Sequence, residues 1–174
     1  LPVDLQLLSG VPWWYNWGLD PGNVPGVGSD FPQEFVAMVW GAGTVADLTD
    51  WSPHPSTKVV LGFNEPNLYS QANLTGAAAC ALWAPVLAAA DAHGLQVGSP
   101  AANHCKPSAT KPQPGVQGHA CYQTPEDWFD AFFAEPGCGL DTVDFIATHK
   151  YGCNASDTIA YVKMLHDRYH KPVW

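Results

Sequence analysis

The sequence predicts an α/β fold organised on a parallel sheet, and three observations carry that prediction. Short β-type runs alternate along the chain with loops and helical patterns. Several of the runs are almost continuously apolar, as expected for strands covered on both faces. A helix also returns to the sheet through a minimal turn, at Gly94-Leu95. With 174 residues the chain is a single domain. Five strands can be counted, and a sixth begins at Val173. A closed (β/α)8 barrel takes eight strands and typically about 250 residues. The pattern therefore allows an open doubly wound sheet, or a barrel of which only the first five to six β/α units are present.

Val11-Pro-Trp-Trp-Tyr15 is the first strand candidate. Pro21, Pro25 and the glycines between Gly18 and Gly28 forbid regular structure in the loop that follows. Glu34 to Trp40 and Lys58 to Phe63 are the next two strands, and Pro66 ends the second. A helix comes next. Thr75 offers a capping hydroxyl, Leu82, Trp83, Val86 and Leu87 form its apolar body, and Gly94 sits where a left-handed terminal glycine belongs. Pro85 inside it predicts a kink. Leu95 to Ser99 reads as a strand, and residues 103–123 as a long irregular loop. Thr124-Pro125-Glu126-Asp127 combines a capping hydroxyl, a first-turn Pro and first-turn acids. The helix it starts carries Trp128, Phe129, Phe132 and Phe133. Val143 to Thr148 is a strand, and Ser156 to Tyr169 a helix with Ile159, Val162 and Leu165 as its apolar stripe.

Seven Lys plus Arg against 16 acids give a formal charge of −9. That field repels phosphate, which argues against nucleic acid and anionic membranes as partners. The apolar stretch from Gly76 to Ala90 is too short to span a bilayer, which needs about 20 residues. Eight Trp, six Tyr and seven Phe on an acidic chain suit a neutral ligand such as a sugar. Five cysteines and two Asn-x-Ser/Thr sequons, at Asn73 and Asn154, point to a secreted protein, glycosylated at both positions. Two disulfides and one unpaired Cys are expected, with Cys105 and Cys121, which flank the irregular loop, as one pair. No charged segment followed by an apolar one opens the chain, so secretion would place Leu1 after a removed signal.

Among the four glutamates, Glu126 and Glu135 sit at helix ends and Glu34 at the start of a strand. Glu65 differs, because it directly follows the last apolar residues of a buried strand in Leu61-Gly-Phe-Asn-Glu-Pro-Asn67. That is the carboxyl end, where α/β barrels keep their sites.

Strand-Asn-Glu-Pro resembles the acid/base motif of retaining (β/α)8 glycoside hydrolases. Trp14-Tyr-Asn-Trp17, Phe35 to Trp40-Gly41, Leu61 to Asn67, Gly98-Ser-Pro-Ala101, Asp144 to Ala147 with His149-x-Tyr151-Gly152, and Lys171-Pro-Val-Trp174 occur in that order. Together they resemble glycoside hydrolase family 128, the fungal endo-β-1,3-glucanase family that includes alkali-sensitive linkage-type cell-wall proteins. The resemblance implies a TIM barrel acting on β-1,3-glucan as a secreted or cell-wall monomer without a cofactor. It implies that Glu65 is the general acid/base and that Asn64 binds the 2-hydroxyl beside the reacting carbon. Trp17, Trp40, His149, Tyr151 and Trp174 would contact substrate. Lys150 stands where the family usually has an aromatic residue. The nucleophile of the family follows its Pro-Val-Trp strand, so it is expected as the third residue beyond Trp174.

Two other chemistries compete with this reading. His166 and His170 are spaced i, i+4 on a helix, and His104-Cys105 and His119-Ala-Cys121 look like metal-ligand pairs. The Glu of His-Glu-x-x-His is missing, however, and the dipole already favours histidines in a last helical turn, so no metal is expected. No Gly-x-Ser-x-Gly marks a serine hydrolase. The remaining alternative is a β-glucan-binding wall protein that keeps the groove without turnover.

Overall fold

The computed structural model describes residues 10–22, 33–107 and 120–174. Within them, runs of chain join the sheet in the order in which they occur in the sequence, every one parallel to its neighbour. β1 (Trp13–Trp14) pairs with β2 (Glu34–Phe35). The same run continues past Val36 as β3 (Ala37–Met38), which pairs with β4 (Val59–Leu61). A four-residue helix, α1 (Ala42–Val45), and a 3₁₀ segment (Ala46–Asp50) connect those two strands. After β4 come α2 (Gly76–Cys80), α3 (Trp83–His93) and β5 (Gln96–Val97), and β5 returns to pair with β4. β6 (Ala102–Asn103) lies beside β7 (Thr148–His149), with α4 (Pro125–Phe133) between them in sequence. α5 (Ala155–Tyr169) follows, and Val173 then pairs with Ile146. The result is three short parallel sheets, linked by isolated bridges such as Asn64 with Ala101 and Gly98 with Phe145. It is a mixed α/β fold, and these short sheets do not by themselves establish a closed eight-stranded barrel.

The continuous apolar runs are explained by burial on both faces. Phe35, Ala37, Val39, Val60, Ala102 and Ile146 pack outward into a core shared with Trp83, Val86, Trp128, Phe129 and Phe132 of the helices. The alternate residues Val36, Met38, Val59, Leu61, Phe145 and Ala147 form a second cluster on the opposite face, with Tyr15 against it. A period of two along each strand thus separates an outer helix-facing layer from an inner one.

Helix ends follow their local chemistry. Thr75 accepts the Ala78 N–H at 3.2 Å and Thr124 the Asp127 N–H at 3.2 Å. Gly94 takes the left-handed conformation, φ 63°, and the Leu95 N–H closes back on the Ala90 carbonyl at 2.9 Å. The helix predicted over 75–94 is two helices and not one kinked helix. Pro85 has no N–H for the Ala81 carbonyl and its ring crowds that group, so α2 stops at Cys80 and Pro85 falls in the first turn of α3.

The stripe predicted for the last helix is also corrected. Tyr161, Leu165 and Tyr169 are the buried residues of α5, whereas Ile159 is 68% exposed and Val162 36%. The tyrosines bury their rings and still satisfy their hydroxyls. Tyr161 Oη is 2.7 Å from Thr148 Oγ1, and Tyr169 donates to the Glu126 carbonyl at 3.2 Å. Part of the irregular loop is regular, because Asn103 belongs to β6, and Cys121 makes isolated bridges outside the sheets, antiparallel to Leu68 and parallel to Pro107. Residues 108–119 of that loop, including His119, and residues 23–28 of the Gly18–Gly28 loop lie outside the described residues.

Cys105 pairs with Cys121 as expected, Cys80 pairs with Cys138, and the fifth cysteine, Cys153, is free and exposed. No helix among the described residues is long and apolar enough to cross a membrane.

Gly76 sets the approach of α2 to α4. A Cβ there would lie 2.6 Å from the Phe132 nitrogen and 2.8 Å from the Ala131 carbonyl carbon, both backbone atoms that cannot rotate away. Gly76→Ala should force the helices apart and destabilise the fold by about 1–3 kcal/mol. An unchanged denaturation midpoint would contradict this close contact.

Candidate active site

The end of β4 delivers the site. The Asn64 N–H donates to the Trp40 carbonyl at 2.9 Å, and the Glu65 N–H to the Ala101 carbonyl at 3.0 Å, so backbone pairing on both sides holds the turn. Glu65 itself has φ 41°, a left-handed conformation unusual for a non-glycine residue. The Leu68 N–H locks it from below by donating to the Glu65 carbonyl at 3.0 Å. Such conformations cost about 1–3 kcal/mol and persist where the surroundings over-determine them.

Glu65 is almost wholly buried, 3% exposed, yet it forms part of a cleft of about 340 Å³. The cleft is also lined by Trp17, Trp40, Asn64, Gln71, His149 and Tyr151. Among the described residues Glu65 is the only carboxylate of this lining. Its Oε1 accepts from Asn103 Nδ2 at 2.5 Å and lies 2.9 Å from His149 Nδ1. An ionised carboxylate can only accept, so His149 carries its proton on Nδ1 toward Glu65. Burial pushes the Glu65 carboxyl up, but the hydrogen bonds from His149 and Asn103, the His149 charge and the Tyr151 hydroxyl outweigh it and hold the group below the usual carboxylate range. In turn, burial first and the Glu65 charge second push the Tyr15 and Tyr151 hydroxyls up.

Asn64 is oriented differently. Its Nδ2 donates to Gln71 Oε1 at 2.9 Å, which leaves its Oδ1 buried and without a partner among the described residues. A buried acceptor of this kind favours a ligand that brings a hydroxyl donor. Trp17 and Trp40 are 54% and 36% exposed and present ring surface at the cleft, and Tyr151 is 67% exposed.

Six of the seven residues predicted to act on substrate therefore come together, and Trp174 does not. Its ring stacks on Trp13 at 5.5 Å and on Phe145 at 4.3 Å, and it lines a smaller adjoining apolar cavity of about 110 Å³. Lys150 turns away from the cleft lining, its Nζ 3.2 Å from His104 Nδ1. Sequence reasoning missed Gln71 and Asn103. Gln71 had no motif, and Asn103 lay in a segment read as loop, although its place two residues after Gly98-Ser-Pro-Ala101 marked it as a strand-end polar residue.

Both glycosylation candidates are exposed. Asn73 sits in a left-handed turn with φ 51°, and Asn154 caps α5 with its Oδ1. Among the described residues no three His, Cys, Asp or Glu side chains group as metal ligands, and His166 Nδ1 is 2.9 Å from the Lys171 carbonyl.

Parallel strands, a buried acid at a strand's carboxyl end and an aromatic-walled cleft define the class to which such a chain belongs. Residues 4–174 match the family model described as the glycosyl hydrolase catalytic core. A family 128 (subgroup II) endo-β-1,3-glucanase from Sorangium cellulosum is 36% identical with a TM-score of 0.78, covering 99% of this chain and 68% of that one. The corresponding enzyme from Pseudomonas viridiflava is 30% identical with a TM-score of 0.71, over 100% of this chain and 65% of that one. A subgroup I enzyme from Amycolatopsis mediterranei, in complex with laminaritriose, is 29% identical with a TM-score of 0.68, covering 95% and 61%. The chain belongs to glycoside hydrolase family 128. It is also 28% identical over 169 residues to alkali-sensitive linkage protein 1 of Schizosaccharomyces pombe, covering 95% of this chain and 26% of that protein. The chain thus spans about a quarter of this curated relative's length.

Proposed function

We propose that this chain forms the larger part of the catalytic domain of a secreted, retaining endo-β-1,3-glucanase, with Glu65 as general acid/base. The observation that carries the reading is the Glu65 carboxyl, buried and hydrogen-bonded in a cleft walled by Trp17, Trp40 and Tyr151. Glu65 protonates the glycosidic oxygen as the bond breaks, then takes a proton from the water that releases the glycosyl-enzyme. The pairing of Val173 with Ile146 supports Pro172-Val-Trp174 as a further parallel strand, the one that the nucleophile follows in the family. Retention requires the two carboxyl groups about 5–5.5 Å apart. The ionised nucleophile then opposes the downward pull of His149 and Asn103 on Glu65, so that Glu65 can be protonated when substrate binds. Asn64 Oδ1 accepts the 2-hydroxyl of the sugar at the reacting carbon. Strands paired in chain order, with helices packed on one face, support the (β/α)8 barrel as the complete architecture. The disulfides and exposed sequons support an extracellular, glycosylated protein.

Nuclear magnetic resonance of the first products from laminari-oligosaccharides, with the full-length protein, tests this reading. The β-anomer should appear first. Binding without any product would point instead to a glucan-binding wall protein.

Substrate contact should be largely insensitive to salt, because a CH-rich sugar face stacked on indole loses little to ionic screening. Trp40→Ala should weaken laminari-oligosaccharide binding by about 1 kcal/mol or more, as truncation of an aromatic anchor at a binding surface does, with the fold intact. Equal affinity of the variant in titration calorimetry would remove Trp40 from the groove.

A further inference from the structure

The Asn67 side chain is fully buried, 0% exposed, and every polar atom of it is used. Its Nδ2 donates to the carbonyls of Asn103 at 2.9 Å and Gln123 at 3.1 Å, with the Cys105 sulfur at 3.2 Å. Its Oδ1 accepts the Asn103 N–H at 2.9 Å, and its own carbonyl accepts the Tyr122 N–H at 3.1 Å. One amide thus joins three segments: the turn that carries Glu65, the end of β6 that carries Asn103, and residues 121–123. The Cys105–Cys121 disulfide ties the second of these to the third. The Tyr122 hydroxyl reaches back to the Pro66 and Leu74 carbonyls at 2.8 and 2.6 Å and closes the ring of contacts beneath Glu65.

Nothing in this arrangement touches the cleft, and its output is the placement of one group. Asn67 grips the Asn103 main chain at both its N–H and its C=O, and so fixes the backbone from which the Asn103 side chain reaches Glu65 Oε1. We propose that Asn67, braced by the Cys105–Cys121 disulfide, is a positioning residue that sets the proton affinity of Glu65 by holding the Asn103 amide against its carboxylate. This rests on the reading of Glu65 as the acid/base. The groups facing Glu65 are Asn103 from β6, His149 and Tyr151 from β7 and the residues after it, and Tyr15 after β1. Of these, only Asn103 is held by the brace.

The sign follows from the chemistry. Asn103 donates to the ionised form and so favours it. A loosened donor raises the proton affinity of Glu65, and the basic limb of the pH profile of kcat/KM, which reports the acid in the free enzyme, moves to higher pH. A hydrogen bond to a charged group corresponds to a shift of about one pH unit.

The experiment is the pH profile of laminarin hydrolysis by the full-length protein carrying Asn67→Ala, or Cys105→Ala with Cys121→Ala. The control is Val86→Ala, a buried position of the outer layer remote from the brace. The expected result is a basic limb about one unit higher and kcat lower by about tenfold in the brace variants, with KM little changed. Val86→Ala should lower the melting temperature without moving the limb. If Asn67→Ala does not fold, the cysteine pair carries the same test. An unmoved limb in a folded brace variant, with only the melting temperature lowered, would overturn the proposal. Glu65→Gln separates the two ideas: an active Glu65→Gln enzyme refutes the acid/base reading, whereas an inactive one beside an unmoved limb refutes the brace alone.

Discussion

Glu65→Gln in the full-length protein is expected to lower laminarin turnover by about 10²–10⁴-fold, the range attributed to a positioned general acid/base. The glutamine keeps the size of the side chain and can still meet Asn103 and His149, so stability should change little. It cannot deliver a proton to the glycosidic oxygen. The loss should be smallest on an aryl glucoside with a good leaving group, because departure of that group needs no protonation. The pattern across leaving groups therefore distinguishes proton transfer from a general loss of structure. Full activity on laminarin would remove Glu65 from the mechanism.

The second large effect is on stability. Cys80 and Cys138 close a loop with a sequence separation of 58 residues and tie α2 to the segment after α4. Restriction of the unfolded chain by a loop of that length corresponds to about 4 kcal/mol, more than the shorter Cys105–Cys121 link contributes. Replacing both residues by Ala should lower the unfolding free energy by that order, read from denaturant midpoints at fixed slope. Cys138 is buried and Cys80 packs against the same core, so Ala also leaves a small void. None of these atoms lines the cleft, so laminarin hydrolysis at low temperature should persist. An unchanged midpoint would show that α2 and α4 are held by packing alone.

The parts of the molecule legible in the sequence are those whose cause lies within a few residues. Thr75, Gly94 and Thr124-Pro125 act on their own helix ends, and each does so in the structure. The apolar runs 34–40 and 58–63 are strands because both of their faces are covered, and the absence of alternation already said so. Cys105 and Cys121 flanked one loop and are joined across it. The helix over 155–169 was legible as a helix but its buried stripe was not. Ile159 and Val162 fit the helical period as well as Tyr161 and Tyr169 do, and only the position of Thr148 and α4 decides which face turns inward.

For the site, the sequence by itself determined that an acid follows a buried strand at its carboxyl end, and that aromatic residues and a histidine stand at other strand ends. That much is local for Glu65, which follows the apolar run 58–63 directly, whereas the family resemblance, and not the hydrophobic pattern, grouped Asn64, Trp17, Trp40, His149 and Tyr151 around it. Only the tertiary structure decided the partners. Asn103 reaches Glu65 across 38 residues of sequence and His149 across 84, while Trp174 packs on Trp13 and Phe145 outside the cleft lining. Lys150 finds His104 and leaves the cleft, although it sits between two cleft residues. A side chain's hydrogen-bond partner depends on distances of a few tenths of an ångström between segments far apart in the chain. Periodicity and motif spacing carry no such information, so the orientation of the carboxylate became visible only in the fold.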